Sequence, residues 1–202
     1  MNQRIAGLLV SATLLTFTHG ALAGQAKWTK EGTKAGVTVY TSPVEGSDVP
    51  RVKAVTTLDA TTDEVWEVFN SVLSKSKGVK EIKKLGSCGD GCEYIYQRLG
   101  HALIKDRHYV LKMKSTITEK NGMRTYKRIW HKTDEKKPIG SGAIPIEKIS
   151  GSWTLAPVDE GRATRITYTN HMDLGGSVPA ALFSAGFVEN AFKILSSFRT
   201  AL

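Results

Sequence analysis

The residues of this chain that could do chemistry are few, and their spacing limits what that chemistry is. Cys88-Gly89-Asp90-Gly91-Cys92 places the only two cysteines within one short stretch. In an oxidising compartment such a pair can close a small loop, and the glycines permit the tight backbone which that loop needs, so a structural Cys88 to Cys92 disulfide is expected. A zinc site would need a second Cys pair, haem attachment would need C-x-x-C-H, and the spacer is longer than that of the C-x-x-C redox motif. His101, His108, His131 and His171 are dispersed along the chain. The sequence contains no G-x-S-x-G, H-E-x-x-H, Gly-rich phosphate loop or clustered Asp/Glu/His set, so no metal, cofactor or catalytic constellation is expected. The most demanding residue is Arg107. In a strand from Asp106 to Glu119 it shares a face with Tyr109, Leu111, Met113 and Ile117, while His108, Lys112, Lys114 and Thr116 take the other. A guanidinium on an apolar face must meet a carboxylate, water, backbone carbonyls or the polar end of a ligand, because unpaired burial costs about several kcal/mol. Glu93 and Asp173 are the carboxylates to consider.

These side chains require a scaffold, and the pattern supplies one. Two β-rich stretches between Val37 and Leu58 flank a turn segment from Ser42 to Pro50. Asp59 to Glu64 is acidic and rich in capping residues, and the apolar spacing of Val65, Trp66, Val68, Phe69 and Val72 predicts a helix after it. Strands are expected over Glu93 to Leu99, Asp106 to Glu119, Met123 to Lys132, Glu147 to Pro157 and Ala163 to Asp173, with hairpin turns at Lys120-Asn121-Gly122 and Asp159-Glu160-Gly161. Lys136 to Gly142 reads as a longer loop. On the expected strands Ile149, Trp153 and Leu155 form one apolar set, and Ile166, Tyr168, Asn170 and Met172 another; His171, like His108, falls on the outer phase. Bulky apolar groups with a few isolated polar ones are the composition of a ligand pocket, and also of a filled core. After Gly175-Gly176-Ser177-Val178-Pro179, the steps of Ala180, Phe183, Phe187, Ala191, Ile194 and Phe198 predict a long amphipathic terminal helix. The result is an α+β chain whose terminal helix crosses a strand meander.

Three phrases in this order carry a resemblance. Lys105-Asp106-Arg107-His108-Tyr109-Val110-Leu111, Gly151-Ser152-Trp153-Thr154-Leu155-Ala156-Pro157 and Asp173-Leu174-Gly175-Gly176-Ser177-Val178-Pro179 resemble the corresponding segments of START (StAR-related lipid-transfer) domains, within the helix-grip, Bet v 1-like superfamily. The resemblance covers nearly all of the chain after residue 23. It implies a curved antiparallel sheet wrapped around the C-terminal helix, with an internal tunnel for one sterol or hopanoid, phospholipid or fatty acid. Combined with the strand phases, it points to Arg107, Tyr109, Leu111, Met113, Trp153, Tyr168, Asn170 and Met172 as ligand contacts, with Phe183, Phe187 and Ala191 as the helix wall. START domains often carry a further N-terminal helix, for which Gly24 to Lys34 offers little room, so one tunnel end is expected to be more open. The superfamily also includes cyclases and hydrolases, and an enzyme acting on a small apolar substrate is the alternative reading. An adhesion module would instead have a filled core and no extractable ligand.

Met1 to Ala23 has one cation, Arg4, an apolar run from Ile5 to about Phe17 and a small-residue exit at Ala21-Leu22-Ala23. This reads as a signal peptide cleaved after Ala23, placing one domain, 24–202, in an extracytoplasmic space, the periplasm in a Gram-negative cell. The whole chain has 28 Lys and Arg against 19 Asp and Glu; its net charge of +9 becomes +8 once Arg4 is removed. Such a charge attracts anionic surfaces. Export favours lipid over nucleic acid as the partner, and Lys75, Lys77, Lys80, Lys83 and Lys84 form the densest basic cluster. That cluster is expected to touch a membrane transiently, or else to be a solvated face. The protein is expected to act as a monomer, without a nucleic-acid partner.

Overall fold

A computed structural model describes residues 27–74, 78–101, 104–140, 142–146, 148–175 and 180–202. The strands and helices run β1 (Thr29–Lys34), β2 (Val37–Val44), β3 (Ser47–Leu58), α1 (Thr62–Ser74), β4 (Val79–Gly89), β5 (Cys92–His101), β6 (Ile104–Lys120), β7 (Met123–Lys132), β8 (Ile144–Pro145), β9 (Lys148–Val158), β10 (Ala163–Asp173) and α2 (Ala180–Ala201). All strands join one curved sheet in the order β1-β2-β3-β10-β9-β7-β6-β5-β4, antiparallel throughout except that the short β8 pairs in parallel with β6. The segment expected to be a signal peptide, Met1 to Ala23, lies outside the described residues.

Local chemistry accounts for the main boundaries. Thr61 Oγ1 accepts from the Glu64 amide at 3.3 Å and Glu64 Oε2 accepts from the Thr61 amide at 2.8 Å, a reciprocal cap that starts α1. Lys120 pairs with Met123 across Asn121 and Gly122, both at positive φ, as a two-residue hairpin turn requires. The Cys88–Cys92 disulfide spans the β4 to β5 turn with a Cα separation of 5.0 Å. At that turn the Gly91 carbonyl accepts from the Ser115 amide at 2.7 Å, and a Cβ on Gly91 would collide with the Ser115 carbonyl. Glycine is required there by the close approach of two backbones.

α1 and α2 pack on the concave face of the sheet. The central core joins Val65 and Phe69 of α1, Ala191, Phe192, Leu195 and Phe198 of α2, and Trp153, Leu155 and Ile166 of the sheet. Trp153 is its hub, stacked on Tyr168 at 4.3 Å between centroids and meeting Phe69 and Phe198 edge-on at 5.5 and 5.9 Å. Burying each of these large side chains stabilises the fold by about 1.5 to 3 kcal/mol relative to exposure. Arg199 at the end of α2 donates to Thr56 Oγ1 and the Thr57 carbonyl, fastening the helix to β3.

Besides the two-residue β8, two strands escape the sequence pattern, β1 and β4. They are the two ends of the sheet order, and neither buries a continuous face, so no apolar alternation marks them. On the convex side, His108 and His171 keep the phase expected from sequence but are only 9% and 4% exposed. Pointing away from the helices is not the same as pointing into water: Tyr94, Tyr96 and Val110 form a second apolar layer there with Ile139 of the long loop. His171 is hydrogen-bonded to Ser47.

Candidate functional site

The register places the expected inner-face residues side by side. Arg107, Tyr109, Leu111 and Met113 of β6 face Leu99, Gln97, Ile95 and Glu93 of β5. Met113 continues to Trp130 and Gly151, Arg128 to Trp153 and Tyr168, and Gly151 to Asn170 and Val52. One continuous concave face therefore carries the whole sheet-borne set, and packing then divides it into filled and empty regions.

The filled regions take most of the expected residues. Tyr109 and Leu111 join Ile146, Ile149 and Leu174 in a compact cluster, with Met113 and Met172 at its margin. Trp153 lies in the central core, as does Ala191, 1% exposed. Tyr168 is half-buried between Trp153 and Trp130. Burial raises the hydroxyl pKa of both Tyr109 and Tyr168 well above the usual phenol range. Asn170 and Phe187 are half-buried, and the side chain of Phe183 lies outside the described residues.

Arg107 is 5% exposed, and its partners are backbone carbonyls: Nε donates to Leu174 O at 3.0 Å and Nη1 to Lys105 O at 2.8 Å. The two carboxylates considered from sequence are engaged elsewhere. Glu93 pairs with Lys84, and Asp173 accepts from the Ser47 hydroxyl at 2.5 Å and from the Gly175 amide at 3.0 Å, contacts that hold its pKa below the usual carboxylate range.

The empty region is a cavity of about 680 Å³ between α1 and the β4 to β7 end of the sheet. α1 contributes Trp66, Asn70 and Leu73, and β5 contributes Glu93, Ile95 and Gln97. Met113 and Ser115 of β6 and Arg128 of β7 complete the floor. The disulfide hairpin forms the rim through Ser87, Gly89, Gly91 and Cys92. Of the ligand contacts expected from sequence, Met113 lines this space. Gln97 is held in place by the Tyr109 hydroxyl, which donates to its Oε1 at 2.7 Å.

Arg128 is the cavity residue that sequence reasoning passed over. Its phase with Tyr126 and Trp130 was the available signal: an arginine between two aromatic positions on an otherwise inward strand face. Its Nε donates to Ser115 Oγ at 3.0 Å and Nη1 to Asn70 Oδ1 at 3.1 Å, and its guanidinium carbon lies 5.0 Å from the ring centroids of both Trp66 and Phe69. Burial depresses its pKa from the ordinary arginine value, an effect partly opposed by the negative charge of Glu93.

The basic cluster has a different character from that of an uncompensated patch. Lys80 pairs with Asp106, Lys83 with Glu81 and Lys84 with Glu93, all along edge strand β4; Lys75 and Lys77 lie outside the described residues. Among the described residues no group of three His, Cys, Asp or Glu side chains could hold a metal ion, and no helix is long and apolar enough to cross a membrane.

No family model matches the chain. An uncharacterized protein of Pseudomonas aeruginosa is 26% identical over 197 residues, covering 96% of this chain and 94% of the relative. Among solved structures, a STAR-related lipid transfer protein fragment from Xanthomonas axonopodis has a TM-score of 0.69 at 25% identity, over 86% of this chain and 97% of its own. Human StAR-related lipid transfer protein 5 has a TM-score of 0.72 at 17% identity, covering 89% and 88% of the two chains. The lipid transfer and protein localization domain of human StarD13 also reaches 0.72, at 15% identity over 88% and 89%.

Proposed function

We propose, from the premise that this chain has the START helix-grip fold, that it is an exported lipid-binding and lipid-transfer protein. One apolar molecule occupies the cavity between α1 and β4 to β7 and leaves it chemically unchanged. The observation that carries this reading is the cavity itself: about 680 Å³, floored by Ile95 and Met113 and roofed by Trp66 and Leu73. That volume lies within the span of about 300 to 1,000 Å³ of the clefts and cavities in which proteins bind a single small ligand. The transfer activity named for the solved neighbours is consistent with the same use. Export follows from the leader-like Met1 to Ala23, and the compartment is the periplasm in a Gram-negative host. The mature charge of +8 draws the carrier to anionic bilayers for exchange, with each exposed lysine contributing at most about 1 kcal/mol near the surface.

Native mass spectrometry of freshly purified protein, followed by solvent extraction, tests the reading. The expected result is a 1:1 complex with a lipid recovered intact. A protein that is uniformly free of ligand and takes up none from a lipid panel would overturn it, and recovery of a chemically altered product would replace the carrier by an enzyme.

A further inference from the structure

The cavity contains a cation with no carboxylate in ion-pair contact among the described residues, although Glu93 of the same cavity acts on it from a distance. The hydrogen-bond partners of Arg128, Ser115 Oγ and Asn70 Oδ1, are neutral, as are the Trp66 and Phe69 rings beside it. Among the described residues Arg128 forms no salt bridge, and its Nη2 amino group has no hydrogen-bond partner. Glu93 is the other ionisable residue lining the cavity, and it is ion-paired with Lys84 on the edge strand. A half-buried guanidinium beside apolar walls gains from pairing with an oxyanion, and its planar fork matches a carboxylate or phosphate.

We infer that the cavity selects an amphiphile with an anionic head, a carboxylate or a phosphate, which pairs with Arg128 while its apolar tail lies against Leu73, Ile95 and Met113. This rests on the carrier reading above and narrows it to a ligand class. Ser115 and Asn70 are positioning residues: they engage Nε and Nη1 and leave Nη2 uncommitted on a residue that lines the cavity. The cavity-facing arginine is thus distinct in role from Arg107, whose donors are committed to the backbone.

The test uses three ligands with one shared tail: palmitate, hexadecyl phosphate and hexadecanol, titrated into delipidated protein at a pH where both acids are ionised. At least one anion should bind about tenfold or more tightly than the alcohol, the range a charge-assisted contact provides. Which anion binds more tightly identifies the head. R128Q should bring all three affinities within about threefold by weakening the anions alone, and R128K should retain part of the preference. Should R128Q fail to fold, the comparison of the three ligands on the unaltered protein decides alone. Equal affinity for alcohol and anions, or an anion preference that survives R128Q, overturns the inference and leaves the carrier reading standing. Binding of none of the three overturns the inference, and the native mass spectrometry described above then decides the carrier reading separately.

Discussion

Replacing Arg107 by methionine separates the two roles open to a buried arginine in this fold. The guanidinium donates to Leu174 O at 3.0 Å and Lys105 O at 2.8 Å, joining β6 to the end of β10 just before the approach to α2. Each hydrogen bond from a charged donor contributes about 1.5 to 3 kcal/mol, and the carbonyls abandoned by R107M would add to the loss. Against that stands relief from burying a charge, also worth about several kcal/mol. Because methionine keeps much of the side-chain length and its apolar contacts, the net destabilisation should be about 2 to 4 kcal/mol. For a domain of this size each kcal/mol moves Tm by about 2 to 4 °C, so the melting temperature should fall by about 4 to 16 °C. Circular dichroism melts give the shift, and native mass spectrometry at a temperature where the variant is folded gives the bound ligand. Stoichiometry and ligand identity should match those of the unaltered protein, since Arg107 does not line the cavity. An R107M protein with unchanged Tm and lost or altered cargo would refute this reasoning and make Arg107 the anchor.

Ala191→Trp and Met113→Trp should behave oppositely: the first overpacks the contact between α2 and the sheet at a cost of about 1 to 3 kcal/mol, while the second projects into open space and displaces ligand with little change in Tm. If instead A191W folds normally and loses ligand, the space lies along α2. Removing the disulfide by C88S with C92S should cost about 2 kcal/mol for so short a loop and speed ligand release at the rim, measured by urea melts and off-rates; unchanged values for both would show that the hairpin is held by other contacts. The pKa values of His108 and His171 are lowered, in each case chiefly by burial, with nearby cations adding to the effect: Arg98 for His108, Arg51 and Lys148 for His171. The unfolded chain therefore binds more protons than the folded one below about pH 6.5, and stability should fall as pH drops from that value toward the lowered folded pKa values. H171Q should flatten the dependence in thermal melts, and a flat profile for the unaltered protein between pH 7.5 and 5.5 would contradict the assignment (both limits being about one unit either side of the free imidazole value).

Local chemistry was legible in the sequence where the neighbours were local. The alternation from Arg107 to Met113, the turn at Asn121-Gly122, the acidic start of α1 and the helical spacing after Ala180 all have counterparts in the structure. Edge strands β1 and β4 were not legible: β1 is exposed along nearly its whole length, and three register shifts break the alternation of β4. The position of the cavity was not legible either. Tyr109, Trp153 and Met113 have the same phase, yet Tyr109 is covered by Ile146 and Leu174, Trp153 by Phe69 and Phe198 of the two helices, and Met113 borders the cavity, partners that are all distant in sequence. Ala191 shows the same ambiguity: a small residue on a helix marks either room for a ligand or a tightly packed contact, and here it is buried in the central core and does not line the cavity.

The central claim, that one apolar molecule lies between α1 and β4 to β7, is tested most directly by photo-crosslinking a diazirine-tailed lipid to the purified protein and mapping the adducts by peptide mass spectrometry. The account predicts a single adduct per chain, concentrated on Leu73, Ile95 and Met113 and abolished by excess unlabelled lipid. Saturable adducts confined to Ala191, Phe192 and Leu195, or labelling that excess lipid does not suppress, would contradict it.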